Sequence, residues 1–265
     1  MVWDPAQYLK FAGERMRPAV DLIARVPLAA PRTIVDLGCG TGNVTRLLAQ
    51  RWPGAVVTGV DNSAAMLARA GDAGALDGPI RWCRADLAHW APAAGEPLPD
   101  VVYSNAALHW LDGHPALFPR LLAAVAPGGA LAVQMPNQFR APSHVALQEA
   151  ACHPRWRERL APALRPTPVA GLDQYFAWLA SQSTSVDAWT TEYLHVLPAG
   201  VDGEHPVVAW TRGTALTPFL ALLDAEAAQA FIEDYRIRIA AAYPPLADGR
   251  VLFPFRRQFL VALRR

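Results

Sequence analysis

The sequence predicts an α/β fold, a doubly wound parallel sheet with helices between its strands. Short apolar runs alternate with helix-patterned stretches from Arg32 to about Met135, and glycines cluster where the first run hands over to its helix. Apolar types make up 52% of the chain and charged types 18%, a balance that allows a full core and excludes intrinsic disorder and a coiled coil. The 265 residues suffice for one large domain, or for a core of about 150 residues with a smaller elaboration, folded without disulfide or metal staples.

Residues 8–26 read as an amphipathic helix closed by Pro27 and carrying Arg15 and Arg17, so residues 1–30 are expected to form a helical lid. Thr33-Ile34-Val35-Asp36-Leu37 is the first strand. A helix follows over 43–52, because Val44, Leu47, Leu48 and Trp52 fall on one face. Residues 55–60 form the second strand, which ends at Asp61, and Ser63 caps a helix running to about Ala70. Strands three to five are 80–83, 100–104 and 130–135, the last entered through the turn Pro127-Gly128-Gly129, so the core spans 31–136. Residues 142–168, rich in proline and arginine, are expected to be irregular. Beyond them 172–180 reads as a helix, 188–197 as an alternating strand, 206–243 as helical up to the stop at Pro244-Pro245, and 258–263 as the last strand. The stretch 137–265 is thus a helical cap plus the last two strands.

Charge and cysteine content narrow the function. A formal net charge of +1 supplies no field to hold a polyanion, so nucleic acid is not expected as a partner. Met1-Val2-Trp3-Asp4-Pro5 begins no targeting segment, and the longest apolar run, 121–135, is broken by its proline and glycines. A cytoplasmic monomer without a membrane partner is therefore expected. Cys39, Cys83 and Cys152 form no CxxC pair, which argues against a disulfide framework and a metal site. Lys10 is the one lysine; arginine supplies every other basic side chain, and its planar fork suits carboxylates.

The stretch Asp36-Leu37-Gly38-Cys39-Gly40-Thr41-Gly42-Asn43 carries the most chemistry. Glycines at a strand-to-helix turn let a ligand approach the backbone. The spacing is GxGxG rather than the GxGxxG of a dinucleotide site, and Asp36 would repel a pyrophosphate, which disfavours a dehydrogenase. A ligand with a cationic end fits better. S-adenosyl-L-methionine has an α-amino group for Asp36 to orient beside Gly38 and Gly40, and ribose hydroxyls for Asp61 after the second strand. Asn62 and Met66 are placed to flank its adenine. Asp86 and Leu87 after strand three face the adenine amino group, and Asn105 after strand four faces the methionine part. Cys39 reads as a small buried filler.

At these residues the chain resembles the class I S-adenosylmethionine-dependent methyltransferases. Over nearly its whole length it resembles the trans-aconitate 2-methyltransferase family, through Trp3, Tyr8-Leu9, Phe11, Glu14-Arg15, Arg17-Pro18-Ala19, Ala132-Val133-Gln134-Met135-Pro136, Gly213-Thr214 and Ala241-Ala242-Tyr243-Pro244-Pro245. The resemblance implies a Rossmann-like sheet, mostly parallel with an antiparallel last strand, and S-adenosyl-L-homocysteine as the spent cofactor. The chain departs from the family pattern at Thr217, at Asn137-Gln138, at Phe255-Arg256-Arg257-Gln258-Phe259 and at His109.

That family esterifies a carboxylate of a small tricarboxylic acid, here most simply trans-aconitate. With a pKa of about 4 such a group is already ionised, so no catalytic base is expected. Proximity and orientation supply the acceleration instead, up to ~7–11 kcal/mol in favourable cases. Tyr8, Arg15, His109, Trp110, Gln134, Arg212, Tyr243 and Arg257 are the candidates to bind the acid. Two other readings stay open: a methyltransferase for another small acceptor, and a module that holds the cofactor without turnover.

Overall fold

The computed structural model describes residues 12–72, 80–164, 166–200 and 203–265. They divide into two compact units, one built from 16–136, 168–191 and 257–265, the other from 12–15, 137–167 and 192–256.

The first unit holds the sheet. Its opening helix α1 (Ala12–Arg25) buries Ala19, Leu22 and Ile23, and the Tyr103 hydroxyl donates to the Ala19 carbonyl at 2.9 Å. Then come β1 (Thr33–Leu37), α2 (Asn43–Arg51), β2 (Val56–Asp61), α3 (Ala64–Asp72), β3 (Ile80–Arg84), β4 (Val101–Asn105), α4 (His114–Ala123), β5 (Ala130–Pro136) and α7 (Leu172–Leu179). The intervening α5 (Pro142–Cys152) and α6 (Arg157–Leu160) belong to the second unit, as do α8 (Pro206–Arg212), α9 (Thr217–Leu220) and α10 (Ala225–Ala242). Two long strands, β6 (Ser183–Leu197) and β7 (Val251–Arg264), run through both units.

The sheet order is β3-β2-β1-β4-β5-β7-β6. Strands β1 to β5 are mutually parallel and β7 is antiparallel to β5, so the Rossmann-like expectation holds. The chain winds outward through β1, β2 and β3, then returns to start β4 on the other side of β1. Such a reversal opens a crevice at the carboxyl ends of the central strands. Strands β4 and β5 are buried on both faces from Val101 to Ser104 and from Ala130 to Met135, which is why they read as unbroken apolar runs.

Three expectations need correction, all for reasons of proline and glycine position. Residues 142–168 are not irregular throughout: Pro142 stands in the first turn of α5, where a missing N–H costs nothing. Residues 206–243 are three helices, because Gly213 ends α8 and Pro218 opens α9. Strand β7 starts at Val251, well before 258, its alternation of buried Phe253 and Phe255 with exposed residues disguised by Pro254 and Arg256. Helix α4, which the sequence pattern did not mark, carries Pro115 and Pro119.

The second unit has its own core of Trp156, Leu160, Trp210, Phe231, Tyr235, Ile239 and Phe253. Trp156 Nε1 donates to Asp234 Oδ2 at 2.6 Å, and Asp224 caps α10 by accepting from the Ala227 N–H at 2.9 Å. Among the described residues no helix is long and apolar enough to cross a membrane.

Candidate functional site

The carboxyl ends of β1 to β5 carry most of the residues singled out above, and the local geometry explains how each is held. After β1 the backbone is left-handed at Gly38, Gly40 and Gly42. A β-carbon on Gly38 would stand 2.1 Å from Ala107 Cβ, and one on Gly42 would stand 2.4 Å from Trp82 Cη2, whereas one on Gly40 would meet nothing within 4 Å. The outer glycines are thus demanded by neighbouring side chains. Gly40 alone of the three faces open space, which leaves a ligand that position to approach.

The loop is tied to the tip of β2. The Gly38 and Cys39 amides both donate to the Val60 carbonyl, at 2.8 and 3.1 Å, and the Gly40 amide donates to Asp61 Oδ2 at 2.9 Å. Asp61 Oδ1 accepts from the Ser63 amide at 2.9 Å. Each carboxylate oxygen has two lone pairs, so Asp61 keeps one on either side for a further donor. Ser63 caps α3 as expected, its hydroxyl accepting from the Met66 amide at 3.3 Å. Met66 is half-buried and Asn62 exposed, with the Asn62 carbonyl accepting from Arg84 Nε at 3.1 Å.

Asp36 is buried, and its Oδ2 accepts from the Thr45 hydroxyl at 2.6 Å. Burial pushes its carboxyl up to about 7; the Thr45 bond opposes that rise and the nearby Asp61 charge adds to it. Asp86 is placed differently. Its carboxylate closes its own turn, accepting from the Ala88 amide at 3.0 Å and meeting His89 Nδ1 at 3.1 Å, bonds that hold it below the usual carboxylate range. The residue packed at the glycine loop is Leu87, whose Cδ1 lies 3.4 Å from where a Gly38 β-carbon would be.

At the tips of β4 and β5, Asn105 and Gln134 are paired across the parallel ladder. Asn105 Oδ1 and both amide atoms of Gln134 are buried with no hydrogen-bond partner among the described residues. Nearby, Ala106 adopts φ 53, left-handed backbone that a β-carbon disfavours, and its amide donates to the Gln134 carbonyl at 2.9 Å. This bend seats Ala107 in the gap left by Gly38 and leads into a single 3-10 turn, Leu108–Trp110. His109 and Trp110 have ring centroids 4.7 Å apart, and Trp110 is 53% exposed. Arg257 lies buried on β7, opposite Pro136 at the end of β5.

Asp36, Gly38, Gly40, Asp61, Leu87, Asn105, His109, Trp110, Gln134 and Arg257 therefore share one unit and one end of its sheet. Arg212 and Tyr243 belong to the other unit and are engaged there: Arg212 Nε and Nη2 donate to Glu204 Oε1 at 3.0 and 2.5 Å, and the Tyr243 hydroxyl accepts from the Ser143 amide at 3.1 Å. Tyr8 and the side chain of Arg15 lie outside the described residues. Thr45 and Trp82 are contributors that the sequence pattern did not mark. A glycine inside β2, Gly59, is the one signal for Trp82, because a strand glycine marks close approach and a β-carbon there would meet the indole at 2.5 Å. Among the described residues no three His, Cys, Asp or Glu side chains are grouped to hold a metal.

Comparison with known proteins agrees with the fold. A family model described as a methyltransferase domain matches residues 34–129. A trans-aconitate 2-methyltransferase of Methylobacterium nodulans is 51% identical over 263 residues, covering 99% of this chain and 98% of that protein. Another, of Paracidovorax citrulli, is 46% identical over 264 residues, covering 99% and 98%. Among solved structures, phosphoethanolamine N-methyltransferase 2 of Haemonchus contortus, in complex with S-adenosylhomocysteine, superposes with a TM-score of 0.53 at 17% identity, covering 94% of this chain and 52% of that one. At that identity the likeness is one of fold.

Proposed function

The chain belongs to the trans-aconitate 2-methyltransferases, a family of S-adenosylmethionine-dependent methyltransferases, and from that premise we propose that it esterifies one carboxylate of trans-aconitate and releases S-adenosylhomocysteine. The observation that carries the cofactor half is the junction of strand tips at which Gly40 faces open space while its amide anchors Asp61.

The residues fit the cofactor. Asp36 supplies a carboxylate for its α-amino group, with Thr45 occupying only one oxygen. Asp61 keeps one lone pair per oxygen for the two ribose hydroxyls, Asn62, Met66 and Leu87 border the adenine, and Asp86 faces its amino group from an exposed turn. The unpartnered Oδ1 of Asn105 accepts from the methionine part. When bound, the cofactor supplies an electrophilic methyl group on a sulfonium.

The acceptor side asks for orientation alone. A carboxylate is ionised at neutral pH without help, so His109 serves as lining and takes no proton, and Trp110 offers an aromatic face near the cation, worth ~0.5–2 kcal/mol. Gln134 donates to a carboxylate through a neutral amide, which orients an oxygen without neutralising it. Arg257, buried on β7 beside the end of β5, grips another carboxylate. The protein acts as a cytoplasmic monomer on a free small acid, without nucleic acid or membrane.

Incubation of the purified protein with labelled S-adenosylmethionine and a panel of di- and tricarboxylic acids tests the proposal. Label should pass to trans-aconitate as a monomethyl ester. Transfer only to a different acid would assign another acceptor, and bound cofactor with no acid labelled would make the protein a non-catalytic module.

A further inference from the structure

We infer that His114 and Tyr175 are positioning residues for the acceptor side of the site, acting through the Leu108 carbonyl on the turn that carries His109 and Trp110. The inference rests on the reading above that this turn faces the acceptor.

Both residues are buried, His114 at the start of α4 and Tyr175 within α7. The Ala170 amide donates to the Tyr175 oxygen at 3.2 Å, which leaves the hydroxyl hydrogen for His114 Nδ1 at 2.5 Å. That fixes the tautomer: Nδ1 accepts, so Nε2 carries the hydrogen, and it lies 3.0 Å from the Leu108 carbonyl oxygen. Donors thus run in one direction from Ala170 to Leu108. Burial pushes the imidazole below its ordinary pKa and keeps it neutral, as this polarity requires. Phe118 and Trp178 pack on the Tyr175 ring at centroid distances of 4.5 and 5.1 Å, holding it in place.

The turn at the end of this chain is one that needs external hold. It begins with the left-handed Ala106, presses Ala107 into the space above Gly38, and is closed by the short bonds Trp110 N–H to the Ala107 carbonyl at 3.1 Å and Leu111 N–H to the Leu108 carbonyl at 3.0 Å. Such strained backbone persists only where its surroundings over-determine it. His114 does so through the peptide next to His109, and it draws its own orientation from a residue of α7, far along the chain. Displacement of a substrate-facing turn by about an ångström costs up to roughly a hundredfold in rate.

The test uses Tyr175→Phe, His114→Phe and His114→Gln, the last of which keeps one donor and one acceptor. Hydrogen exchange should accelerate at the Trp110 and Leu111 amides in both phenylalanine variants while the β4 amides stay protected. In the same variants kcat/KM for trans-aconitate should fall about ten- to a hundredfold, with S-adenosylhomocysteine affinity within about twofold of wild type, and His114→Gln should recover most of the loss. Unchanged exchange at Trp110 and Leu111 in His114→Phe would overturn the inference whether or not the wild-type protein methylates this acid. So would a lowered melting temperature with both kinetic constants intact. Failure of the wild type to methylate any acid, with exchange still accelerated, would instead overturn the reading of the acceptor.

Discussion

Gln134→Met is the substitution that separates a residue kept for a ligand from one kept for the fold. Buried polar groups are nearly always hydrogen-bonded, and leaving one unpaired costs about 1–3 kcal/mol. Gln134 is wholly buried at the tip of β5, with both amide atoms unpartnered among the described residues and Asn105 Oδ1 unpartnered beside it. Methionine has nearly the same length and no strong polar group, so it fills the space and removes the penalty. The free protein should therefore gain ~1–3 kcal/mol in stability, seen as a melting temperature raised by roughly 2–4 °C per kcal/mol for a chain of this size. Activity should move the other way. An amide bonded to a carboxylate contributes about 1.5–3 kcal/mol, so kcat/KM for the acid should drop roughly ten- to a hundredfold while S-adenosylhomocysteine affinity stays put. Differential scanning calorimetry with steady-state kinetics reads both quantities. A lower melting temperature would refute the reasoning, because it would mean that the amide bonds within the folded protein.

Asp61→Ala should weaken S-adenosylhomocysteine binding by ~2 kcal/mol in calorimetry, since two ribose contacts go and the Gly40 amide loses its anchor; an affinity unchanged from wild type would remove Asp61 from the site. Asp36 binds its proton more tightly in the folded chain than its ordinary carboxylate value, its pKa rising to about 7 through burial. Its contribution to stability is therefore fully present below pH ~4 and is lost as pH rises to about 7, at up to roughly 1 kcal/mol per unit. Cofactor binding through ionised Asp36 must release that proton, so S-adenosylhomocysteine affinity should climb from pH 5.5 to about 7 and then level off. Asp36→Asn should flatten both trends, and a wild-type affinity independent of pH would exclude the carboxylate as the partner of the amino group. Gly38→Ala should prevent stable folding, with a β-carbon 2.1 Å from Ala107, whereas Gly40→Ala should fold and lose cofactor affinity because its β-carbon points into open space; equal melting temperatures for the two would contradict that contrast.

The sheet was legible because β4 and β5 are buried on both faces and the turn after β1 carries glycines, two features that leave long, simple traces in a chain. Prolines were the main source of misreading. Pro115, Pro142 and Pro218 all stand in first turns, where proline favours a helix, yet position within a helix is invisible until its start is known. The exposed Arg256 and the buried Arg257 likewise hid the early half of β7, because two charged residues in a row mask the alternation on either side of them.

The site divides along the same line. The placement of Asp36, Gly40 and Asp61 at neighbouring strand tips was readable, since each stands within or just after an apolar run. Asp86 stands just after β3 as read, and the bond that the sequence pattern did not show is the one by which its carboxylate closes its own turn on the Ala88 amide. What no pattern of residues could supply is a set of side-chain pairings: Thr45 on Asp36, and Tyr175 through His114 to Leu108. These bonds join residues whose proximity exists only after folding. In the proposed reading the acceptor side presents a neutral amide, Gln134, and charge explains why it suits the place. An arginine beside β5 at the place of Gln134 would hold a carboxylate firmly but draw off the charge that makes it a nucleophile, whereas an amide aligns the oxygen and leaves its charge in place. By that logic Arg257, two residue pairs beyond on β7, suits the carboxylates that do not react.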